Sequence, residues 1–520
     1  MTTTAVGATV TARRSGGQLA PLAHLGAELR FQLRYNRTRL IVWFLVTAGM
    51  IGFIGAYYAT LDPDALQVLI QTGGTDAMKS LLGWTAAAVA GSAPLGAAVW
   101  IKGWMFVSLM LGIGMVFLMT HNLRADEDAG RTELFRSRPL GLHASLAAAL
   151  IMAIALCLLV GIGIGLFGQG LHFGALLDSN HTSDPDPLGS WVFAASITAI
   201  GLIGVGLGAV TNQLMASSAG ANGLGTAIIG VFYLLRMGTD VANPQLTWIS
   251  PIGWAEQMNP WADNHLWPML LVVALLVVLV VLAWQLEARR DFAGSLFAAR
   301  PGHRDAAGWM TGVVGLAIRL QRTAWISWAV GIAVFALMLG SITPMMADMF
   351  DDVPFVGVDA ASILSVVGLL LAMISLGVSS FAIYSAATMA QDDTRGLLER
   401  QLAGAVSRLG WAGKRIALAF VAALILLVVL AAIYALAFGA GMKDYSDTGV
   451  IIATAFAFIP SLLVLIGVVV LGVGCWPRLA VAISWGAFGA LWFIMILGEA
   501  LRLPEQLLTS LPFFAVATMP

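Results

Sequence analysis

Two acidic segments hold the residue types closest to doing chemistry in this chain. Asp126-Glu127-Asp-Ala-Gly130-Arg-Thr-Glu133 and Asp392-Asp393-Thr-Arg-Gly396-Leu-Leu-Glu399 both read acid, acid, two residues, Gly, two residues, Glu. Acids in a first helical turn complement the helix dipole. Gly130 and Gly396 allow a tight turn or a close approach, and Glu133 and Glu399 follow three residues later on one face. For a single copy, a solvated loop that keeps two helix ends in water accounts for the pattern. Two copies at matched positions favour a short helix on which a soluble partner docks. Catalytic chemistry is missing: the string nearest a G-x-x-x-x-G-K-[ST] phosphate loop, Ala412-Gly413-Lys414-Arg415, has Arg408 in place of the first Gly and Arg415 in place of Ser or Thr. Seven scattered His residues include no H-E-x-x-H pair, which argues against an intramembrane metalloprotease. Energy therefore has to come from another chain or from a gradient.

The elements that carry these segments are themselves repeated. Arg34-Tyr-Asn-Arg37-Thr-Arg-Leu-Ile-Val-Trp43 returns 285 positions later as Arg319-Leu-Gln-Arg322-Thr-Ala-Trp-Ile-Ser-Trp328, and Asp126 returns 266 positions later as Asp392. The halves are colinear, the first holding 19 more residues between these landmarks. Colinear self-similarity in a hydrophobic chain indicates a duplicated membrane bundle. Of 520 residues 59% are hydrophobic and 11% charged, which excludes a soluble domain, usually about 25% charged. Cys157 and Cys475 both lie in apolar stretches, so neither a disulfide framework nor a thiolate metal site is expected.

Runs able to cross about 30 Å of hydrocarbon at 1.5 Å per residue fall at Leu40 to Ala59, Trp100 to Met119, Ala144 to Phe167, Trp191 to Val210, a weaker one at Gly223 to Met237, and Trp267 to Leu286. The second half has Trp325 to Met345, Val366 to Ala390, Ile416 to Gly439, Val450 to Cys475 and Ala480 to Leu497. The fold class expected is an all-α polytopic membrane protein of two parallel bundles of about six helices, the last helix missing from this sequence. Its divisions are 1–39 (N-terminus with an amphipathic interfacial helix), 40–290 (first bundle), 291–322 (linker and second interfacial helix) and 323–520 (second bundle).

With the N-terminus inside, inner segments hold 22 of the 27 basic residues, whereas outer segments hold 17 of the 28 acids. This asymmetry places both acidic loops on the cytoplasmic side, and the preference for Arg over Lys with the Ala and Gly richness suggests a bacterial plasma membrane. Trp43, Trp100, Trp191, Trp267, Trp325 and Trp411 at span ends read as interfacial anchors. Leu22, Leu25, Leu29 and Leu33 recur at helical spacing opposite Glu28, Arg30, Arg34 and Arg37, predicting a helix that lies along the inner leaflet before the chain turns into the membrane. The 19 extra residues fall between the first two spans, where Ala65 to Val89 is expected to form outer helices that the second half lacks. The outer stretches Leu61 to Val99 and Pro244 to Trp267 are equally readable as an extracellular gate or as simple loops.

At Arg124-Ala-Asp-Glu127-Asp-Ala-Gly130-Arg-Thr-Glu133-Leu-Phe-Arg-Ser-Arg-Pro139 the sequence resembles the permease subunits of type-2 ATP-binding-cassette exporters, and the duplication makes it look most like the tetronasin-type antibiotic and multidrug exporters of actinobacteria. The resemblance implies that each loop is a coupling helix seated in a groove of an ATPase. Docking then belongs to Asp126, Glu127, Gly130 and Glu133, and to Asp392, Asp393, Gly396 and Glu399. The second copy departs from the pattern, with Leu397-Leu398 where the first has Arg131-Thr132 and Ala405 where the first has Pro139. Ser250-Pro-Ile-Gly-Trp254 resembles the turn before the last span in the same exporters.

The resemblance also implies two copies of a cytoplasmic cassette ATPase that carry ATP and Mg, no cofactor in this chain, a hydrophobic or amphipathic small-molecule substrate, a lipid bilayer around the spans and no nucleic-acid partner. Ser379, Ser380 and Tyr384 are candidate polar contacts along the substrate pathway, or else simple helix–helix hydrogen bonds. A proton-driven transporter of the major-facilitator kind is the main alternative. It lacks support in that no basic residue follows Asp126, Asn122 stands where that family has Gly, and no carboxylate lies mid-span. A membrane scaffold or immunity protein is the third.

Overall fold

The computed structural model describes residues 20–61, 66, 70, 93–128, 130, 141–175, 186–289, 308–310, 312–350, 363–404 and 406–497. Among these the regular elements are all helical, and ten are long and apolar enough to span a bilayer. The chain is an all-α polytopic membrane protein. Helices are the open-ended solution to a hydrocarbon solvent, because each satisfies its own backbone polar groups. Two compact units divide it, Met1–Arg300 and Pro301–Pro520.

Unit 1 begins with α1 (Leu25–Tyr58) and α2 (Pro94–Val99), which passes through a π turn at Trp100–Trp104 into α3 (Met105–Asn122). A short α4 (Arg124–Asp128) precedes α5 (Ala144–Gly170), α6 (Pro187–Leu214), α7 (Ser218–Ala242), α8 (Pro251–Glu256) and α9 (Pro268–Arg289). Capping residues set several starts: Asp186 accepts from Gly189 N ahead of α6, and Ser217 from Gly220 N ahead of α7. The π turn brings Trp100 and Trp104 into a stack 4.4 Å apart, with Trp104 Nε1 donating to Ser196 Oγ on α6. The apolar window of α6 is 94% buried against 17% for α7 and α9, so α6 is the unit's axis. Gly204 makes that centre possible, since a Cβ there would sit 2.1 Å from the Gly112 carbonyl oxygen of α3.

Unit 2 comprises α10 (Val313–Phe350), α11 (Ile363–Thr394), the short α12 (Leu397–Leu402), α13 (Arg408–Met442), α14 (Thr448–Phe456), α15 (Ile459–Cys475) and α16 (Ala480–Leu497). Here α11 is the buried element, and α10 lies against α13 with Thr343 Oγ1 and Tyr434 Oη 2.9 Å apart.

Several boundaries differ from the expectation. The helix expected along the leaflet and the first span are one continuous α1, about 50 Å long at 1.5 Å per residue. No Gly or Pro interrupts residues 27–48. Gln32 and Asn36 are buried in the bundle and Leu29 packs against its core, while Leu22, Leu33, Arg30, Arg34 and Arg37 are exposed. The second interfacial helix is likewise absorbed, into α10. Val450 to Cys475 is one span, Thr448–Cys475, built of α14 and α15 with a tightened turn at Ala457–Phe458, where Pro460 has no N–H for the Phe456 carbonyl. Trp100 and Trp411 are core residues rather than anchors, whereas Trp191 and Trp267 are exposed. Of Ala65 to Val89 only Leu66 and Ile70 are described, both buried; the rest, and residues 498–520, lie outside the described residues.

Candidate functional site

Both acidic loops turn on their glycine in the same way. Gly130 has φ +68° and Gly396 φ +67°, a left-handed conformation that costs an L side chain about 1–2 kcal/mol. Each glycine N–H donates to the carbonyl three residues back, Gly130 to Glu127 at 2.9 Å and Gly396 to Asp393 at 3.0 Å. Among the described residues nothing lies within 4 Å of where a Cβ would stand on either, so the backbone conformation is what selects the glycine. The matched register of the two sequences is thus a matched turn.

Near each turn the first two spans of the unit are joined by a polar pair, buried in unit 1 and part-buried in unit 2, where Ser385 Oγ also donates to Gln321 Oε1 at 2.9 Å. Asn36 Nδ2 on α1 donates to Asn122 Oδ1 on α3 at 2.6 Å. In unit 2, Gln321 Nε2 on α10 donates to Thr388 Oγ1 on α11 at 3.3 Å. Gln321 follows Asn36 by 285 positions and Thr388 follows Asn122 by 266, so the pair is itself repeated. A buried amide without a partner costs about 1–3 kcal/mol, which makes these pairs specific fasteners of the loop-bearing ends. The sequence held a signal for them, as Asn36 and Gln321 occupy one position of the repeated Arg-x-[Asn/Gln]-Arg string.

The surroundings of the acids differ between units. In the first loop Arg124, 2% exposed, pairs through Nη1 with Glu127 Oε2 at 2.8 Å, and Asp126 is half-buried. Asp128 Oδ2 accepts the Ser218 N–H at 2.7 Å, at the start of α7. Glu133 lies outside the described residues. In the second loop Asp392 is buried and pairs with Arg415 Nη2 of α13 at 3.1 Å, so its carboxylate faces the bundle and is not presented at the surface. Arg415 also donates to Thr388 Oγ1 at 2.7 Å, which joins this ion pair to the Gln321 pair. Asp393 and Glu399 are exposed, and Glu399 stands in the first turn of α12, beyond Gly396. Leu398 and Leu402 hold α12 on Val313, Met389 and Trp411, and Trp411 Nε1 donates to Gln401 Oε1 at 2.8 Å. Glu399, Leu402, Ala403, Val406 and Arg408 line an open recess of about 440 Å³ beside it. An exposed, anchored helix with a carboxylate and a recess lined by both apolar and charged side chains can receive a protein surface. Sequence reading missed Arg124, which stands three residues from Glu127 and is readable as an i,i+3 pair, and it missed the Asp128–Ser218 and Asp392–Arg415 bonds, whose residues only the fold brings together.

Ser379 and Ser380 are buried, and each donates to the carbonyl one turn earlier in its own helix, Ser375 at 2.7 Å and Leu376 at 3.0 Å. Those hydroxyls are satisfied without a neighbouring helix. Tyr384 is half-buried beside Trp328, with ring centroids 6.3 Å apart. At the opposite end of unit 1, Pro244 to Trp267 packs as a folded segment: Trp254 Nε1 donates to the Trp248 carbonyl at 2.7 Å, and Glu256 pairs with the fully buried Arg236 at 3.2 Å. Among the described residues no group of three or more His, Cys, Asp or Glu is arranged to hold a metal ion.

Residues 310–520 match the family described as multidrug efflux system permease Rv1217c, C-terminal domain. Over 499 residues the chain is 29% identical to the multidrug efflux system permease protein Rv1217c of Mycobacterium tuberculosis (strain ATCC 25618 / H37Rv), covering 93% of this chain and 87% of that protein.

Proposed function

We propose that this chain is the membrane permease of an efflux system, exporting hydrophobic or amphipathic compounds, and that two separate cassette ATPases, one on each acidic loop, drive it. The similarity to a multidrug efflux permease along nearly the whole chain supports the export reading. The observation that carries the ATPase reading is the pair of loops with the same left-handed glycine and the same N–H to carbonyl bond, at matched positions of a duplicated chain. Two like loops suit two like partners. In this reading the loop ends face the cytoplasm, ATP and Mg belong to the partners, and Glu133 and Glu399 are the docking carboxylates. Closure of the ATPase pair draws the loops together and favours one conformation by differential binding.

Purification of the chain with a co-expressed cassette ATPase tests this. Two ATPase subunits per chain are expected, and a 1:1 complex would overturn the two-loop reading. A docking carboxylate contributes about 1.5–3 kcal/mol per charge-assisted hydrogen bond, about ten- to a hundredfold in affinity. Glu133→Ala is therefore expected to weaken ATPase association more than Glu399→Ala, since the first loop keeps more of the family pattern. Normal association and export in both variants and in the double would reduce the loops to solvated turns.

A further inference from the structure

The loops share a turn but are fastened to different spans. In unit 1 the Asp128 carboxylate holds the first N–H of α7, the fifth span, at 2.7 Å. A negative group at that helix N-terminus also meets the positive end of its dipole. In unit 2 the corresponding position is Thr394, whose hydroxyl donates to Ala390 of its own helix at 2.8 Å and, among the described residues, reaches no other span. There the loop is held through Asp392 by Arg415 of α13, the third span, at 3.1 Å. Arg124, which holds Glu127 in the first loop, has Ala390 as its counterpart in the second. Both fastened spans are lightly packed, with 17% of the α7 window and 28% of the α13 window buried, whereas the axial α6 and α11 windows are 94% and 83% buried. A lightly packed helix responds most to one added or lost bond.

We propose that the two loops act on different spans, the first pulling α7 through Asp128 and the second pulling α13 through Asp392 and Arg415. This rests on the docking reading above and makes the three side chains positioning residues. Coupling of this kind travels along contiguous bonded groups, and the bonds in the two units lead to non-equivalent helices. The duplicated chain then converts a symmetric closure of two ATPases into an asymmetric movement of its spans.

Hydrogen–deuterium exchange of the full chain in lipid nanodiscs, alone and with the co-purified ATPase with and without ATP-Mg, tests this. In the chain alone, Asp128→Asn is expected to speed exchange at Ser218–Gly220 tenfold or more and leave Gly410–Arg415 unchanged. Asp392→Asn does the reverse, and Arg415→Lys, which keeps the charge in the core, does so if the Asn variant fails to accumulate. In the complex, ATP is expected to change protection at both sites in the unmodified chain, only at α13 in Asp128→Asn, and at both again in Asp128→Glu. An ATP response at α7 that survives Asp128→Asn, or one variant altering both sites alike, overturns this inference while leaving the docking reading intact. Failure of the unmodified chain to bind an ATPase overturns both.

Discussion

Replacing Arg415 with Leu tests how the second loop is held. Arg415 is 6% exposed and its Nη2 serves Asp392 at 3.1 Å and Thr388 at 2.7 Å. Deleting the cation leaves the Asp392 carboxylate, itself 9% exposed, without its partner in a site where water cannot fully replace it. Removing one member of a buried pair costs about 3–5 kcal/mol. The partial exposure of the Asp392 side chain, 13%, puts the expected loss near the lower end, about 3 kcal/mol. If unit 2 unfolds as a body, its size converts that loss into a fall in Tm of about 6–12 °C. Thr388 is little affected, because its hydroxyl already donates to the Ser385 carbonyl at 2.6 Å. The double variant Arg415→Leu with Asp392→Leu removes both charges together, and apolar replacement of a whole buried pair is often neutral. It is expected to regain at least half of the loss. Tryptophan-detected thermal unfolding of the two variants in detergent, at one scan rate, measures both. A double variant no more stable than Arg415→Leu would refute the ion-pair reasoning, as would a single variant with an unchanged Tm.

Gly130→Ala and Gly396→Ala are each expected to destabilise by about 1–2 kcal/mol through the left-handed backbone alone, with Asn at either position recovering much of it; equal losses from Ala and Asn, by the same unfolding assay, would contradict this. Gly204→Ala is expected to abolish accumulation in the membrane, because its Cβ would meet the Gly112 carbonyl oxygen at 2.1 Å. Gly223→Ala, with nothing within 4 Å, is expected to be neutral or to stabilise by up to about 1 kcal/mol through helix propensity. Immunoblotting of membrane fractions compares these two.

Much of this protein is legible in its residues taken in order. The apolar run lengths imply eleven crossings, because a helix must reach across hydrocarbon at a fixed rise per residue, and ten long helices with a shorter Ala480–Ile494 are what the described residues contain. The spacing of acids and glycine in the two loops likewise anticipated a shared turn, since a left-handed φ is a local property that glycine satisfies wherever the chain must reverse. What each polar group bonds was decided by the tertiary structure. Asp392 reads as a surface acid until α13 brings Arg415 to it, and nothing in the order of residues pairs Asn36 with Asn122 until α3 brings the two within 2.6 Å. In a soluble helix the apolar stripe points inward and the sequence alone tells the two faces apart. In a bilayer an apolar side chain is equally at home against lipid and against another helix, so hydropathy carries no sidedness. Polar residues are the ones that must find a partner, and which partner depends on which helices pack together.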